Sequence, residues 1–177
     1  SLMMGYYNNP EATAEVIDAE GWFHTGDVGT LVDGKFLKIT DRKKDLIVNS
    51  AGKNIAPQKI EAMLRTVPFV TQAVVFGDKQ KHLVALLTLD EQAVIDFARE
   101  KNFEFDAYFD LSRSEDIHGL LRREIAQRSK NLADYEQIKR FAVLTSDLSV
   151  EAGELTATLK IKRPVVARNY KDLIDSL

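Results

Sequence analysis

The chain has 177 residues, 45% of them hydrophobic and 29% charged, with 24 Lys and Arg against 27 Asp and Glu. That length admits one domain, or one domain with a piece of another, and buries a core without disulfide or metal staples. A formal net charge of −3 argues against a nucleic-acid binder resting on a broad basic surface. The absence of cysteine excludes a disulfide scaffold, a thiol nucleophile and any Cys-ligated metal site, and three scattered histidines speak against a His-based one. No apolar run approaches a membrane span and no signal peptide is evident, so the cytoplasm is the default compartment.

Ser1-Leu2-Met3-Met4 runs straight into Gly5-Tyr6-Tyr7-Asn8-Asn9-Pro10. Such a start reads as mid-loop with a vector-derived Ser1-Leu2, and the expectation is a piece of a longer protein. Residues 10–18 predict a short helix with Pro10 in the first turn and Ala12, Val16 and Ile17 on the apolar side, ended by Gly21. Residues 22–40 read as β in three runs, Trp22 to His24, Val28 to Val32 and Phe36 to Ile39. Asp33-Gly34 is the hairpin signal between the last two, because glycine tolerates positive φ. Asp41-Arg42-Lys43-Lys44-Asp45 is an unbroken charge run, too dense for a core and a natural boundary between packed units. Leu46-Ile47-Val48 follows as a short strand, and Asn49 to Asn54 as a polar loop.

A compact α+β unit is expected from residue 56. Pro57 opens a helix with Ile60, Met63, Leu64 and Val67 as its stripe, and Ala73–Phe76 and Leu83–Leu89 read as adjacent antiparallel strands. Asp90 caps a helix carrying Val94, Phe97 and Ala98. Ser112 and Glu115 have capping-box spacing before Ile117, Leu120, Leu121 and Ile125. Residues 138–144 predict another strand; 155–161 alternate, with Leu155, Ala157, Leu159 and Ile161 on one side. Pro164 opens a last helix with Val166, Tyr170, Leu173 and Ile174 inward. The fold class is α+β: a small mixed sheet of about three main strands, flanked by helices and preceded by a short β-hairpin segment.

Four features could carry chemistry. Asp27, in Thr25-Gly26-Asp27, is an acceptor-only carboxylate whose two oxygens match the vicinal hydroxyls of a ribose, and Gly26 and Gly29 would let a ligand approach; alone, a turn aspartate is the simpler reading. Arg42 offers a fork that Lys cannot copy, against the reading of a solvated charge run. Ser50, Ala51, Gly52, Lys53 and Asn54 could form a loop along which a substrate slides, or a plain connection. The stretch Gly153 to Arg163 could deliver Lys160 into an anionic site, or be an exposed basic edge. There is no Gly-rich phosphate loop of the G-x-x-x-x-G-K-[ST] or G-x-G-x-x-G type, and His24, His82 and His118 have no evident catalytic partners.

Weak singly, these signals are specific in their order. Gly5-Tyr6-Tyr7-Asn8-Asn9-Pro10-Glu11-Ala12-Thr13, Gly21-Trp22-Phe23-His24-Thr25-Gly26-Asp27-Val28-Gly29, Asp41 to Val48 with Gly52 to Pro57, and Gly153-Glu154-Leu155-Thr156 to Lys160-Ile161-Lys162-Arg163 together resemble the adenylate-forming enzymes, most of all long-chain fatty acid–CoA ligases. The resemblance implies a large N-terminal domain and a mobile C-terminal lid that use ATP, Mg2+ and CoA to convert a fatty acid to acyl-CoA through an acyl-adenylate. Residues 1–41 would be the end of the large domain and 44–177 the lid. By the same resemblance Asp27 holds the ribose, Arg42 contacts the nucleotide, Lys44 is the hinge, Ser50–Asn54 line the CoA path and Lys160 is the catalytic lysine. The chain departs from the family where Thr-Pro-Thr becomes Thr156-Ala157-Thr158, losing a fixed φ.

The phosphate loop, adenine pocket, magnesium-binding acid and acyl tunnel would all lie upstream. This chain by itself is therefore expected to hold no metal or cofactor and to be inactive. Its partners would be its own N-terminal domain, the three substrates and, for the intact enzyme, a peripheral membrane contact; no nucleic acid is expected. The rival readings are a free-standing α+β binding module, or the lid of an aryl-CoA ligase, a luciferase-like enzyme or a peptide-synthetase adenylation domain.

Overall fold

The computed structural model describes residues 2–177. The chain divides into two compact units, Ser1–Leu46 and Ile47–Leu177. In the first, helix α1 (Pro10–Val16) is capped by Asn9, whose side chain accepts the Ala12 N–H at 3.0 Å, with Pro10 at a position that needs no N–H. The helix ends at Ile17, well before Gly21, because Ile17 turns extended and bridges Phe23. Trp22 to His24 contribute that one bridge and no strand. Their backbone is drawn into a turn by Asp18, whose carboxylate accepts the Trp22 N–H at 2.9 Å and whose own N–H donates to the Trp22 carbonyl at 3.0 Å.

Strands β1 (Asp27–Val32) and β2 (Phe36–Arg42) form the antiparallel hairpin that the sequence predicts. Asp33 and Gly34, the central residues of the turn that the Lys35 N–H closes on the Val32 carbonyl at 3.1 Å, have φ of 52° and 64°, the positive values such a turn requires. A register shift at Val28/Gly29 brings Asp27 opposite Arg42.

The second unit starts with a two-residue ladder, β3 (Ile47–Val48) against β4 (Asn54–Ile55). Helix α2 (Pro57–Leu64) follows, then β5 (Val70–Phe76) and β6 (Leu83–Leu89), which pair antiparallel. Asp90 caps α3 (Glu91–Glu100), accepting the Ala93 N–H at 3.0 Å. Next come α4 (Tyr108–Arg113), α5 (Glu115–Arg128) and β7 (Ile138–Val143), which pairs parallel to β6. Helices α6 (Arg163–Asn169) and α7 (Lys171–Asp175) finish the chain.

The sheet is mixed and three-stranded, with β6 in the middle. One face carries Ala73, Val75, Leu83, Ala85 and Leu87, which pack with Ile60, Leu64, Val94, Ile117 and Leu121 of the helices. The other face carries Val74, Leu86 and Ala142, which pack with Leu155 and Val166. Burial on both faces explains why β6 reads as a nearly continuous apolar run.

Three local expectations are corrected. Ser112 does not cap α5: it is buried within α4, donating to the Phe109 carbonyl at 2.8 Å, while Ser114 adopts the extended cap conformation and accepts the Asp116 N–H. The last helix is two helices, parted at Tyr170. Residues 155–161 are not a strand but a tight loop closed by a single Leu155–Ile161 bridge. Thr156 decides this, its hydroxyl accepting the Lys160 N–H at 3.0 Å and so offering the backbone an alternative to extension.

Candidate functional site

The hairpin register brings Asp27 and Arg42 together. Arg42 Nε stands 3.1 Å from Asp27 Oδ1, which leaves Oδ2 free to accept from a ligand. The Asp27 N–H donates to Thr25 Oγ1 at 3.1 Å, which fixes the backbone there. Gly26, at φ +72°, has nothing within 4 Å of where a Cβ would sit. Gly29 gives no ligand access: a Cβ there would meet Leu37 Cδ1 of the facing strand at 2.9 Å.

The charge run is not uniformly solvated. Asp41 is 3% exposed; its Oδ1 accepts the Arg42 N–H at 2.6 Å and its Oδ2 has no partner. Lys44 lies exposed in a turn closed by the Asp45 N–H to the Arg42 carbonyl at 3.0 Å.

In the second unit, Ser50, Ala51, Gly52 and Lys53 lie in the exposed connection between β3 and β4, and Asn54, also exposed, opens β4 and pairs with Val48. Buried Asn49 shapes it, its Oδ1 accepting the N–H groups of Ala51 at 3.0 Å and Lys53 at 2.9 Å. Gly52 takes φ +72°, which lets the loop reverse.

Lys160 sits on the 155–161 loop, solvent-exposed. The loop stands on a buried polar base. On one side Glu154, 4% exposed, accepts from the Ser149 N–H at 3.1 Å and Asn169 Nδ2 at 3.1 Å, and the Lys162 N–H donates to its carbonyl at 2.7 Å. The Tyr170 hydroxyl beside it is pushed above the ordinary tyrosine range, by burial first and then by the charge and hydrogen bond of Glu154.

On the other side Arg163 Nη1 donates to Glu61 Oε1 at 2.6 Å and to the Val75 carbonyl at 2.7 Å. Glu61, 6% exposed, also accepts the Val75 N–H at 2.9 Å. A two-residue tip, Ala157-Thr158, closes with the Leu159 N–H to the Thr156 carbonyl at 2.8 Å. The arrangement presents the exposed Lys160 ammonium on a loop anchored at both ends by buried polar groups, which suits stabilisation of developing negative charge.

The family described as AMP-binding enzyme C-terminal domain matches residues 44–177. The chain belongs to that family. Across its whole length, this AMP-binding C-terminal domain with its hairpin is 37% identical over 177 residues to the long-chain-fatty-acid–CoA ligase FadD15 of Mycobacterium tuberculosis, covering 99% of this chain and 29% of that protein. It is 34% identical over 192 residues to the long-chain-fatty-acid–CoA ligase ACSBG2 of Gallus gallus, covering 98% and 25%. The chain thus spans less than a third of the relatives that it matches. Among solved structures, the adenylation domain of the carboxylate reductase of Mycobacterium chelonae superposes with a TM-score of 0.80 at 29% identity, covering 98% of this chain and 25% of that one. The A domain of carboxylic acid reductase from Segniliparus rugosus, in complex with AMP and a co-purified carboxylic acid, gives 0.76 at 30%, covering 99% and 26%.

The sequence motifs contain Glu154 and Asn49 but give them no role, and Glu61 falls outside every motif; all three organise the AMP-binding C-terminal domain's loops. Glu61 left a signal: buried Pro57, Ile60, Glu61 and Leu64 follow i, i+3, i+4, i+7, so a carboxylate occupies a core position of α2. Among the described residues no group of His, Asp or Glu converges as a metal site. His24 pairs with Asp18 at 3.0 Å, and His118 donates to the Ser112 carbonyl at 2.8 Å while stacking on Phe141. No helix among the described residues is long and apolar enough to cross a membrane.

Proposed function

We propose that these 177 residues are the C-terminal part of an ATP-dependent long-chain fatty acid–CoA ligase, with residues 1–41 completing the large domain and 44–177 forming a mobile lid. Identity of 37% extending over 99% of the chain to a ligase of that name is the observation that carries the reading. It also weighs against a free-standing module, since the hairpin unit is inside the matched region.

In this reading a fatty-acid carboxylate oxygen attacks the α-phosphorus of ATP and diphosphate leaves. The acyl group then passes from AMP to the thiol of CoA. Asp27, steadied by Arg42, accepts from the ribose hydroxyls through its free Oδ2. Lys160 bridges the carboxylate and the α-phosphate and offsets the charge that grows on both. Lys44 is the hinge and Ser50–Asn54 line the path of CoA. Mg2+ would neutralise diphosphate from residues outside this chain. A cytoplasmic enzyme, with peripheral membrane contact where its lipid substrate is drawn, completes the proposal.

The superposition on carboxylate-reductase adenylation domains supports a second reading, in which the same adenylate is handed to a different acceptor. Both are tested in the full-length enzyme. Lys160→Ala should lower palmitate-dependent exchange of diphosphate into ATP by about 10²–10³-fold and spare transfer from supplied palmitoyl-adenylate to CoA. Undiminished exchange would reject the role of Lys160; failure of the wild type to accept CoA would favour the second reading.

A further inference from the structure

Two apolar residues of the chain, Phe69 and Leu159, hold left-handed backbone, with φ of 70° and 60°. That conformation costs a residue with a Cβ free energy that glycine does not incur. At Phe69 the cost is offset locally: the ring is half-buried in the core and lies 5.2 Å from the ring of Phe97. At Leu159 the backbone bonds that close the turn would form equally with glycine, and the side chain itself offsets nothing, because it is 70% exposed at the tip of the loop beside Lys160. The turn needs left-handed backbone there, and Gly or Asn would supply it without an isobutyl group in water. Strain retained without local packing at a functional loop points to a contact made in another state.

We propose that Leu159 is a positioning residue for adenylate formation. Entering the cleft with Lys160, its side chain is buried beside the ammonium and excludes water from the contact between Lys160 and the reacting carboxylate and phosphate. An ammonium acts more strongly on developing charge in a dry site than in a wet one. The inference rests on the reading of Lys160 given above.

The test uses the full-length enzyme with Leu159→Asn and Leu159→Gly, both at ease in left-handed backbone, and Leu159→Met as the apolar rescue. The Asn and Gly variants should unfold at an equal or higher temperature than wild type. They should lose up to about 10²-fold in kcat for palmitate-dependent diphosphate exchange, the order that misplacement of a catalytic group by about 1 Å can cost, with the fatty-acid KM unchanged. Transfer from palmitoyl-adenylate to CoA should be unaffected, and Met should restore most of the exchange. Wild-type exchange in the Asn and Gly variants, a change confined to KM, or equal loss in both half-reactions would overturn the role of Leu159. Lys160→Ala, run alongside, separates the two claims. Exchange that survives in it rejects the parent reading; exchange lost there but normal in Leu159→Asn rejects Leu159 alone.

Discussion

The two units of this chain solve the problem of an amphipathic sheet in opposite ways. In Ile47–Leu177 the three-stranded sheet is covered on both faces, and Val75, Ala85 and Leu87 are fully buried. In the hairpin of the first unit Leu31, Phe36, Leu37 and Ile39 are each more than half exposed, at 66%, 67%, 68% and 55%. A two-stranded ribbon has no second layer of its own, and its stability in water is marginal. The ion pairs follow the same division: Arg163–Glu61 lies inside the second unit, whereas Arg42–Asp27 faces solvent. The lesson is that the second unit carries its own core and sets the Lys160 loop on a buried polar base, while the first sets Asp27 and Arg42 on a hairpin whose apolar side chains are largely exposed.

Hydrogen exchange on the 177-residue chain gives the sharpest break of this comparison. Amides of β5 and β6 should be protected up to the global unfolding free energy, about 5–15 kcal/mol for a domain, while those of β1 and β2 exchange through far cheaper local openings. Equal protection in both sheets would erase the distinction.

Mutating the two ion pairs sharpens it. Glu61→Ala strands the Arg163 guanidinium and leaves the Val75 N–H without its acceptor, and should cost about 3–5 kcal/mol in urea unfolding. Asp27→Asn, at an exposed pair, should change stability by less than about 1 kcal/mol. Comparable losses would show the buried pair to be no anchor.

A smaller effect is expected at the loop tip. Ala157 occupies the second position of the Thr156–Leu159 turn, where proline's fixed φ fits and the N–H is not used in closing the turn. Ala157→Pro should therefore stabilise by about 0.4–1 kcal/mol through the unfolded state. A loss of stability would mean that the backbone at 157 needs the freedom alanine gives.

The smallest effect concerns pH. Burial, then the charges of Glu91, Asp147 and Asp90, pushes the Tyr108 hydroxyl up to about 12. The folded state thus favours the neutral phenol. Its contribution is complete below the ordinary tyrosine pKa near 10 and is lost as pH rises towards 12. Absorbance titration should show one tyrosine ionising late, and Tyr108→Phe should flatten the alkaline fall in stability; an unchanged slope would assign that fall to other groups.

Much of this molecule is written in its periodicities. The Asp33-Gly34 turn, the Asp90 cap and the apolar run of β6 each follow from interactions between residues near in sequence, and each is found where the pattern puts it; of the predicted α2 stripe, Ile60 and Leu64 are buried with Glu61, Met63 is half-buried, and Val67 lies beyond the helix. Asp27 and Arg42 could be named from their motifs, and their meeting follows from hairpin register. Tertiary structure decided the rest. Alternation at 155–161 predicted a strand, but the Thr156 hydroxyl and the base at Glu154 and Arg163 fold it into a loop. Arg163 and Glu61 are 102 residues apart, and no local rule links them. Neither does any local rule say that the loop carrying Lys160 stands beside that buried pair. Short-range patterns fix which elements form, because their energies depend on neighbouring residues; burial and long-range partners exist only once those elements have packed.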